Sequence, residues 1–116
     1  MSSKFPCRVP KALVVADPEP SFRRICREAA NRLTHTIEVF QEAESIHQTI
    51  ALAKAHPDAM VFLDPTIGSP QATKNHPQTI LLKLRNAGHT GPIVICTRHA
   101  SVHRAMKYIR AGASDV

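Results

Sequence analysis

Short apolar runs alternate with amphipathic segments along the whole chain. Four runs are typical of buried strands, at residues 11–16, 36–40, 59–64 and 92–97. Strands of a parallel sheet are covered on both faces, so they are nearly continuous in apolar residues. The alternation therefore predicts an α/β, doubly wound parallel sheet of four strands with helices on both faces.

The segments after these strands carry apolar residues at helical spacing. A first helix follows Pro20, and a second is capped by Ser45 and ends near His56. In the first helix the spacing predicts Phe22, Ile25, Cys26, Ala29, Ala30 and Leu33 inward, and Arg23, Arg24, Arg27 and Glu28 outward.

Two more helices are expected in the second half of the chain. A loop rich in turn-forming residues occupies 65–77, and a helix over 78–88 then ends at Gly88 with Ile80, Leu81 and Leu84 inward. The fourth helix begins at Ser101 and ends before Gly112, with Val102, Ala105, Met106 and Ile109 on one face. Residues 113–116 look like the entrance to another strand.

Polar residues stand at the carboxyl ends of three predicted strands. Asp17 follows the first, Asp64 ends the third, and Thr97 ends the fourth. Ligands of doubly wound sheets bind at this edge, so two carboxylates and a hydroxyl are expected to converge there. Taken singly, each has a structural alternative: Asp64 a turn residue, Asp17 a helix cap, and Thr97 an ordinary strand residue.

The order of these features resembles the receiver domains of two-component response regulators, the CheY-like proteins. The resemblance is carried by "LVVADPEPSFRR", "DAMVFLD", "GPIVICTRHAS" and "AMKYIRAGASDV". It covers Lys11 to Val116, which we expect to form the domain, with residues 1–10 as an N-terminal extension.

The resemblance implies a role for each residue at the sheet edge. Asp64 would accept a phosphoryl group, and Thr97 would be the switch hydroxyl. Asp17, Asp64 and the backbone carbonyl of Thr66 would bind Mg²⁺. The donor would be a sensor histidine kinase or a phosphotransfer protein, and the domain would act in signalling rather than as a turnover enzyme.

Three departures from the family pattern favour a second interpretation. Ala16 stands where the family has another acidic residue, although Glu19 is near enough in sequence to contribute an oxygen through water. The loop after Asp64 is longer, and the sequence stops before the fifth-strand lysine and aromatic switch, so the fifth β-α unit is expected to be missing. An exposed fourth strand would then favour a homodimer through the fourth strand and helix. The alternative function is a degenerate receiver that serves as a dimerisation or docking module without phosphorylation.

Composition narrows the possible location and partners of the protein and the roles of its cysteine and histidine residues. The 116 residues, 43% of them hydrophobic, suit one soluble, cytoplasmic domain. A net charge of +6 favours anionic partners, but only one Tyr and four Phe could stack on bases, so an anion- or nucleic-acid-binding domain is a third, weaker alternative. The three cysteines are expected to be reduced structural thiols, and the spacing of His99 and His103 fits a solvated helix face better than zinc.

Overall fold

A computed structural model describes residues 11–32, 37–67, 76–97 and 102–115. Its eight elements are β1 (Ala12–Ala16), α1 (Pro20–Asn31), β2 (Val39–Ala43), α2 (Ile46–Ala55), β3 (Met60–Leu63), α3 (His76–Asn86), β4 (Ile93–Ile95) and α4 (Val102–Ala111). All neighbouring strands are parallel, in the order β2-β1-β3-β4. The predicted four-stranded parallel α/β fold is confirmed.

The main core lies on one face of this sheet. Its fully buried members include Val14, Val61, Leu63, Ile93 and Ile95 from the strands, and Ile80, Leu81 and Leu84 from α3. The alternate residues of β3 and β4 point to the opposite face and are only half buried. Helix α1 packs against β1 and β2, at the other end of the strand order from β4.

Several helices begin or end at the capping residues that the sequence predicted. The Ser45 side chain accepts a hydrogen bond from the Gln48 amide at 3.1 Å and so caps α2. Gly88 and Gly112 end α3 and α4 with φ of 96° and 121°, values that favour glycine over residues with a Cβ.

Other boundaries differ from the sequence prediction. Strand β2 runs over Val39–Ala43 rather than 36–40, because pairing with β1 begins where the amides of Glu38 and Val39 meet the Lys11 carbonyl. Helix α3 begins at His76, two residues early, and β4 is shortened to Ile93–Ile95. Several predictions fall outside the described residues: the middle of the predicted 65–77 loop, the 1–10 extension, Leu33, His99 and Ser101. The side chains of Val102 and His103 are not described either.

The predicted facing of α1 is wrong at three positions, Ala29, Ile25 and Arg23. Ala29 was expected inward but is exposed. Ile25 is 60% exposed although it was expected inward, and no described element covers it. Arg23 was expected outward, yet its side chain is only 12% exposed. Hydrogen bonds to the loop after β1 and to β2 offset the cost of burying this arginine.

The predicted facing of α4 also needs correction. Met106 and Ile109 are 48% and 47% exposed, whereas Tyr108 is 6% exposed and belongs to the core. The helix thus presents its aromatic residue to the core, where a large ring buries more apolar area than either aliphatic side chain.

The chain after α4 returns to the sheet beside β4. The Ile95 amide donates to the Asp115 carbonyl at 2.9 Å, and the Ser114 amide donates to the Ile93 carbonyl at 2.7 Å. A parallel bridge joins Val94 to Asp115, so the expected entrance to another strand is confirmed. The expectation of an exposed β4 edge is only partly right, because these contacts satisfy part of that edge.

A membrane span is not found among the described helices, since none is both long and apolar enough to cross a bilayer.

Candidate functional site

The carboxyl ends of β1 and β3 bring Asp17 and Asp64 to one edge of the sheet. Ala16 and Leu63 are register partners, so the residues that follow them lie at the same level. The Asp64 amide donates to the Ala16 carbonyl at 2.9 Å, and the Asp17 amide donates to the Ala43 carbonyl at 3.1 Å. Each carboxylate is thus carried by a main chain that is still hydrogen-bonded to the neighbouring strand.

Asp17 is the more buried of the two acids, at 5% exposure. Its Oδ1 accepts a hydrogen bond from the Glu19 amide at 2.8 Å, which closes a short turn at the start of the loop. Glu19 is itself the N-cap residue of α1, so Asp17 does not cap the helix. Burial raises the pKa of Asp17, the charges of Asp64 and Glu19 raise it further, and the Glu19 amide and Arg23 oppose the shift.

Asp64 is half buried and held from one side. Its Oδ1 accepts hydrogen bonds from the Thr66 amide at 2.7 Å and the Thr66 hydroxyl at 2.6 Å. Within the described parts of the chain, no group donates to Oδ2. Pro65 and Ile67 are buried, and the Ile67 amide donates to the Asp64 carbonyl at 3.1 Å, which anchors the turn in the core.

Strand β4 supplies the third side of the site. The Cys96 amide donates to the Leu63 carbonyl at 2.9 Å, which places Cys96 level with Asp64 and half-buried Thr97 one residue farther along the edge. Burial raises the pKa of Cys96 to about 11, with smaller contributions from the charges of Cys26, Asp17 and Asp64. The raised pKa disfavours the thiolate, which is the nucleophilic form of cysteine.

The donor set of this edge suits a hard divalent cation. Two carboxylates are near enough for the charge of Asp64 to raise the pKa of Asp17, and a cation between them would relieve that repulsion. Among the described residues, no group of three His, Cys, Asp or Glu side chains is placed to hold a metal ion. The residues fit Mg²⁺ with few protein ligands and several retained waters. Ala16, buried beside Asp17, supplies no oxygen ligand from its side chain.

Two contributors to the site were missed by sequence reasoning. The Arg23 guanidinium donates to the Asp17 carbonyl at 2.7 Å and to the Glu42 carboxylate at 3.2 Å. The Thr66 side chain, considered only for its backbone carbonyl, donates to Asp64. A hydroxyl two residues after an acid was a usable local signal. Nothing in the spacing of α1 distinguished Arg23 from the exposed Arg24.

Comparison with solved structures identifies the fold. No family model and no curated protein matches the chain. A response regulator from Burkholderia pseudomallei, solved with a phosphorylated aspartic acid, a calcium ion and citrate, is 18% identical with a TM-score of 0.73, over 90% of this chain and 57% of that one. A LuxR-family, DNA-binding response regulator from Staphylococcus aureus is 14% identical with a TM-score of 0.70, over 90% and 82% of the two chains.

The third similar structure is the CheX–CheY–BeF3–Mg complex from Borrelia burgdorferi, which is 14% identical with a TM-score of 0.69, over 92% of this chain and 77% of that one. Signal receiver domains from Mycobacterium tuberculosis and Vibrio parahaemolyticus and the chemotaxis protein CheY4 from Vibrio cholerae are also similar. The chain therefore has the receiver-domain fold of response regulators, as the sequence resemblance predicted. Identities this low show the fold and do not assign a phosphorylated residue or a metal.

Proposed function

We propose that this domain is a phosphoryl-accepting receiver in which Asp64 is the acceptor. The observation that carries the proposal is the unequal hydrogen bonding of the two carboxylate oxygens of Asp64. Thr66 holds Oδ1 with two hydrogen bonds, while no described group donates to Oδ2. One oxygen is oriented and the other is left to act as the nucleophile. The phosphorylated aspartic acid in the Burkholderia structure supports this assignment by analogy of fold.

The reaction needs little from the protein beyond positioning. Oδ2 of Asp64 attacks the phosphorus of a phosphohistidine or a small acyl phosphate, forming an O–P bond as the bond to the leaving group breaks. Histidine leaves as a neutral imidazole after taking a proton, and acetate leaves as the carboxylate. The product is an acyl phosphate on the domain itself, so the protein is a stoichiometric carrier rather than a turnover enzyme.

Mg²⁺, when bound, would neutralise the negative charge that accumulates as two anions meet. Asp17, Asp64 and the Thr66 backbone carbonyl are the residues we assign to hold it. Asp17 is suited to bind a metal ion because its carboxyl group is held in one orientation through Oδ1 by the Glu19 amide. Burial makes an ionised Asp17 costly on its own, and a bound cation lowers that cost.

Thr97 is the group we assign to sense the new phosphoryl charge. It lies one residue beyond the level of Asp64 on the neighbouring strand, and this position supports the assignment of its hydroxyl as a donor to a phosphoryl oxygen. Movement of Thr97 would be transmitted to the segment joining β4 to α4. A sensor histidine kinase or a phosphotransfer protein is the donor that this chemistry implies.

The test is incubation with acetyl phosphate and Mg²⁺, read by intact mass. We expect a gain of one phosphoryl group in the wild-type protein and in Asp58→Asn, which removes an exposed acid from the turn before β3. We expect no gain in Asp64→Asn. Labelling that persists in Asp64→Asn, or is missing from the wild type, would contradict the assignment of Asp64.

A docking module that works without phosphorylation is the second candidate, and Ala16 favours it because the site has one acid fewer than the family pattern. In this case we infer a homodimer through the exposed Met106 and Ile109 of α4. Light scattering at rising concentration tests it. Met106→Glu with Ile109→Glu should give a monomer, whereas Leu82→Glu, which charges an equally exposed leucine on α3, should not. A wild-type protein that stays monomeric argues against the dimer.

A further inference from the structure

Arg23 is the one arginine of α1 whose side chain is nearly buried among the described residues. At 12% exposure it contrasts with Arg24 and Arg27, which are exposed. Its Nη1 donates to the Asp17 main-chain carbonyl at 2.7 Å, and its Nε donates to the Glu42 carboxylate at 3.2 Å. Nη2 lies 3.8 Å from a carboxylate oxygen of Glu44. The guanidinium thus joins the loop after β1 to the end of β2.

The contact at Asp17 completes the fixation of that residue. Its amide is held by the Ala43 carbonyl, and its carboxyl Oδ1 is held by the Glu19 amide. The carbonyl is held by Arg23, the only side chain outside the loop that donates to Asp17 in the described parts of the chain. Rotation about the N–Cα bond of Asp17 would move its carbonyl and its carboxylate together, and the bond from the guanidinium to the carbonyl opposes that rotation.

Two of the three anchors of Arg23 are carboxylates, and one of these, Glu42, is fixed by the sheet. Glu42 pairs with Val15 in the parallel register and also forms an ion pair with Arg27. A planar guanidinium can reach a carbonyl and two carboxylates at once, whereas a lysine ammonium has one centre and cannot span them with the same geometry. Arginine is therefore the residue type that this position requires.

We propose that Arg23 is a positioning residue that holds Asp17 at the sheet edge beside Asp64. The inference deepens the proposed function, because Asp17 is one of the two carboxylates assigned to Mg²⁺. A positioning residue of this kind typically changes metal affinity by about tenfold or more when it is removed.

The sign of the effect distinguishes positioning from plain electrostatics. Removing a cation near two carboxylates should strengthen Mg²⁺ binding if charge alone matters. Loss of positioning should weaken it. Arg24→Gln is the matched control, because it removes the same charge from the next residue of α1, where the side chain is exposed.

The experiment titrates Mg²⁺ into the unphosphorylated full chain and follows the amide signals of Asp17 and Asp64 by NMR. We expect Arg23→Gln to bind Mg²⁺ about tenfold more weakly and Arg24→Gln to bind it equally or slightly more tightly. Arg23→Lys, which keeps the charge and is less disruptive, should fall between wild type and Arg23→Gln. Equal or tighter binding by Arg23→Gln overturns the proposal.

Two further measurements separate this proposal from the proposed function. Without metal, the Glu19 amide that donates to Asp17 should exchange with solvent faster in Arg23→Gln than in Arg24→Gln, and equal exchange overturns the role of Arg23. In phosphorylation assays, Arg23→Gln should need more Mg²⁺ for half-maximal labelling and reach a similar rate at saturation. A wild-type chain that binds no Mg²⁺ and accepts no phosphoryl group contradicts the proposed function. The exchange rate of the Glu19 amide then tests by itself whether Arg23 positions Asp17.

Discussion

Arg85 allows a direct test of how the segment after α4 is held on the sheet. From α3, its Nε and Nη2 donate to the Gly112 carbonyl at 3.0 and 2.6 Å, and its Nη1 donates to the carbonyls of His89 at 3.1 Å and Gly91 at 2.7 Å. These bonds connect α3, the loop before β4 and the turn after α4. The perturbation is Arg85→Met, which keeps the length of the aliphatic chain and removes every donor.

The size of the effect follows from the number of acceptors. Each hydrogen bond from a charged donor contributes about 1.5–3 kcal/mol, and three carbonyls lose such a partner. Part of this is offset because the half-buried guanidinium no longer has to be desolvated, the same burial that lowers the pKa of Arg85. We expect a net loss of about 3 kcal/mol in the free energy of unfolding.

Urea unfolding followed by circular dichroism measures this loss. Lys83→Met is the matched control, since it removes an exposed cation from the same helix and should change stability by less than about 0.5 kcal/mol. Hydrogen exchange gives the location: the Ile95 amide, bonded to Asp115, should exchange faster in Arg85→Met than the Asp64 amide at the sheet centre. A variant within about 0.5 kcal/mol of wild type, or with both amides accelerated equally, would refute the reasoning.

Three further outcomes are expected. Burial lowers the pKa of His89 below its ordinary 6.5, so the unfolded chain binds the proton more tightly than the folded one. The free energy of unfolding should therefore fall as the pH drops below 6.5. In His89→Leu the urea midpoint should lose this dependence on pH between about pH 7 and 5. The pKa of Cys96, about 11 rather than 9.0, implies a roughly 100-fold smaller thiolate fraction, so iodoacetamide at pH 8 should label the folded protein far more slowly at this residue than the unfolded protein. Ile67→Ala should cost about 2–5 kcal/mol in unfolding free energy and Ile67→Val about 0.5–1.5, whereas equal costs would show that the turn after Asp64 is not anchored by this side chain.

The architecture could be predicted because its signals are local. Parallel strands are apolar throughout, Ser45 caps α2 through a partner three residues away, and Gly88 ends α3 with a positive φ. The start of β2 could not be read in the same way, because pairing with the Lys11 carbonyl determines it and that carbonyl belongs to a distant part of the chain.

The facing of helix residues is the part that sequence reasoning missed. Arg23 is buried because its acceptors, Asp17 and Glu42, meet only in the folded sheet. In α4, two apolar stripes compete, and packing selects the one with Tyr108 over the one with Met106. The spacing of apolar residues predicts an amphipathic helix, but it does not show which of two apolar stripes packs against the core.

The candidate site was only partly accessible from the sequence. The ends of apolar runs locate Asp17 and Asp64, and the parallel order of β1 and β3 brings them to one edge. The hydroxyl of Thr66 two residues after Asp64 was a usable signal for a contact, but it did not predict that both Thr66 donors meet the same carboxylate oxygen.

The central position of β1 has a consequence for how the site is assembled. Asp17 and Asp64 lie 47 positions apart, and the strands that carry them pair directly although β2 and α2 lie between them in the chain. Parallel pairing of this kind requires the closure of a long loop, so a chain that has formed only its first β-α-β unit has no site. If Asp64 accepts a phosphoryl group as proposed, its labelling would report completed folding of β1 to β3, and a partly folded chain would not be labelled.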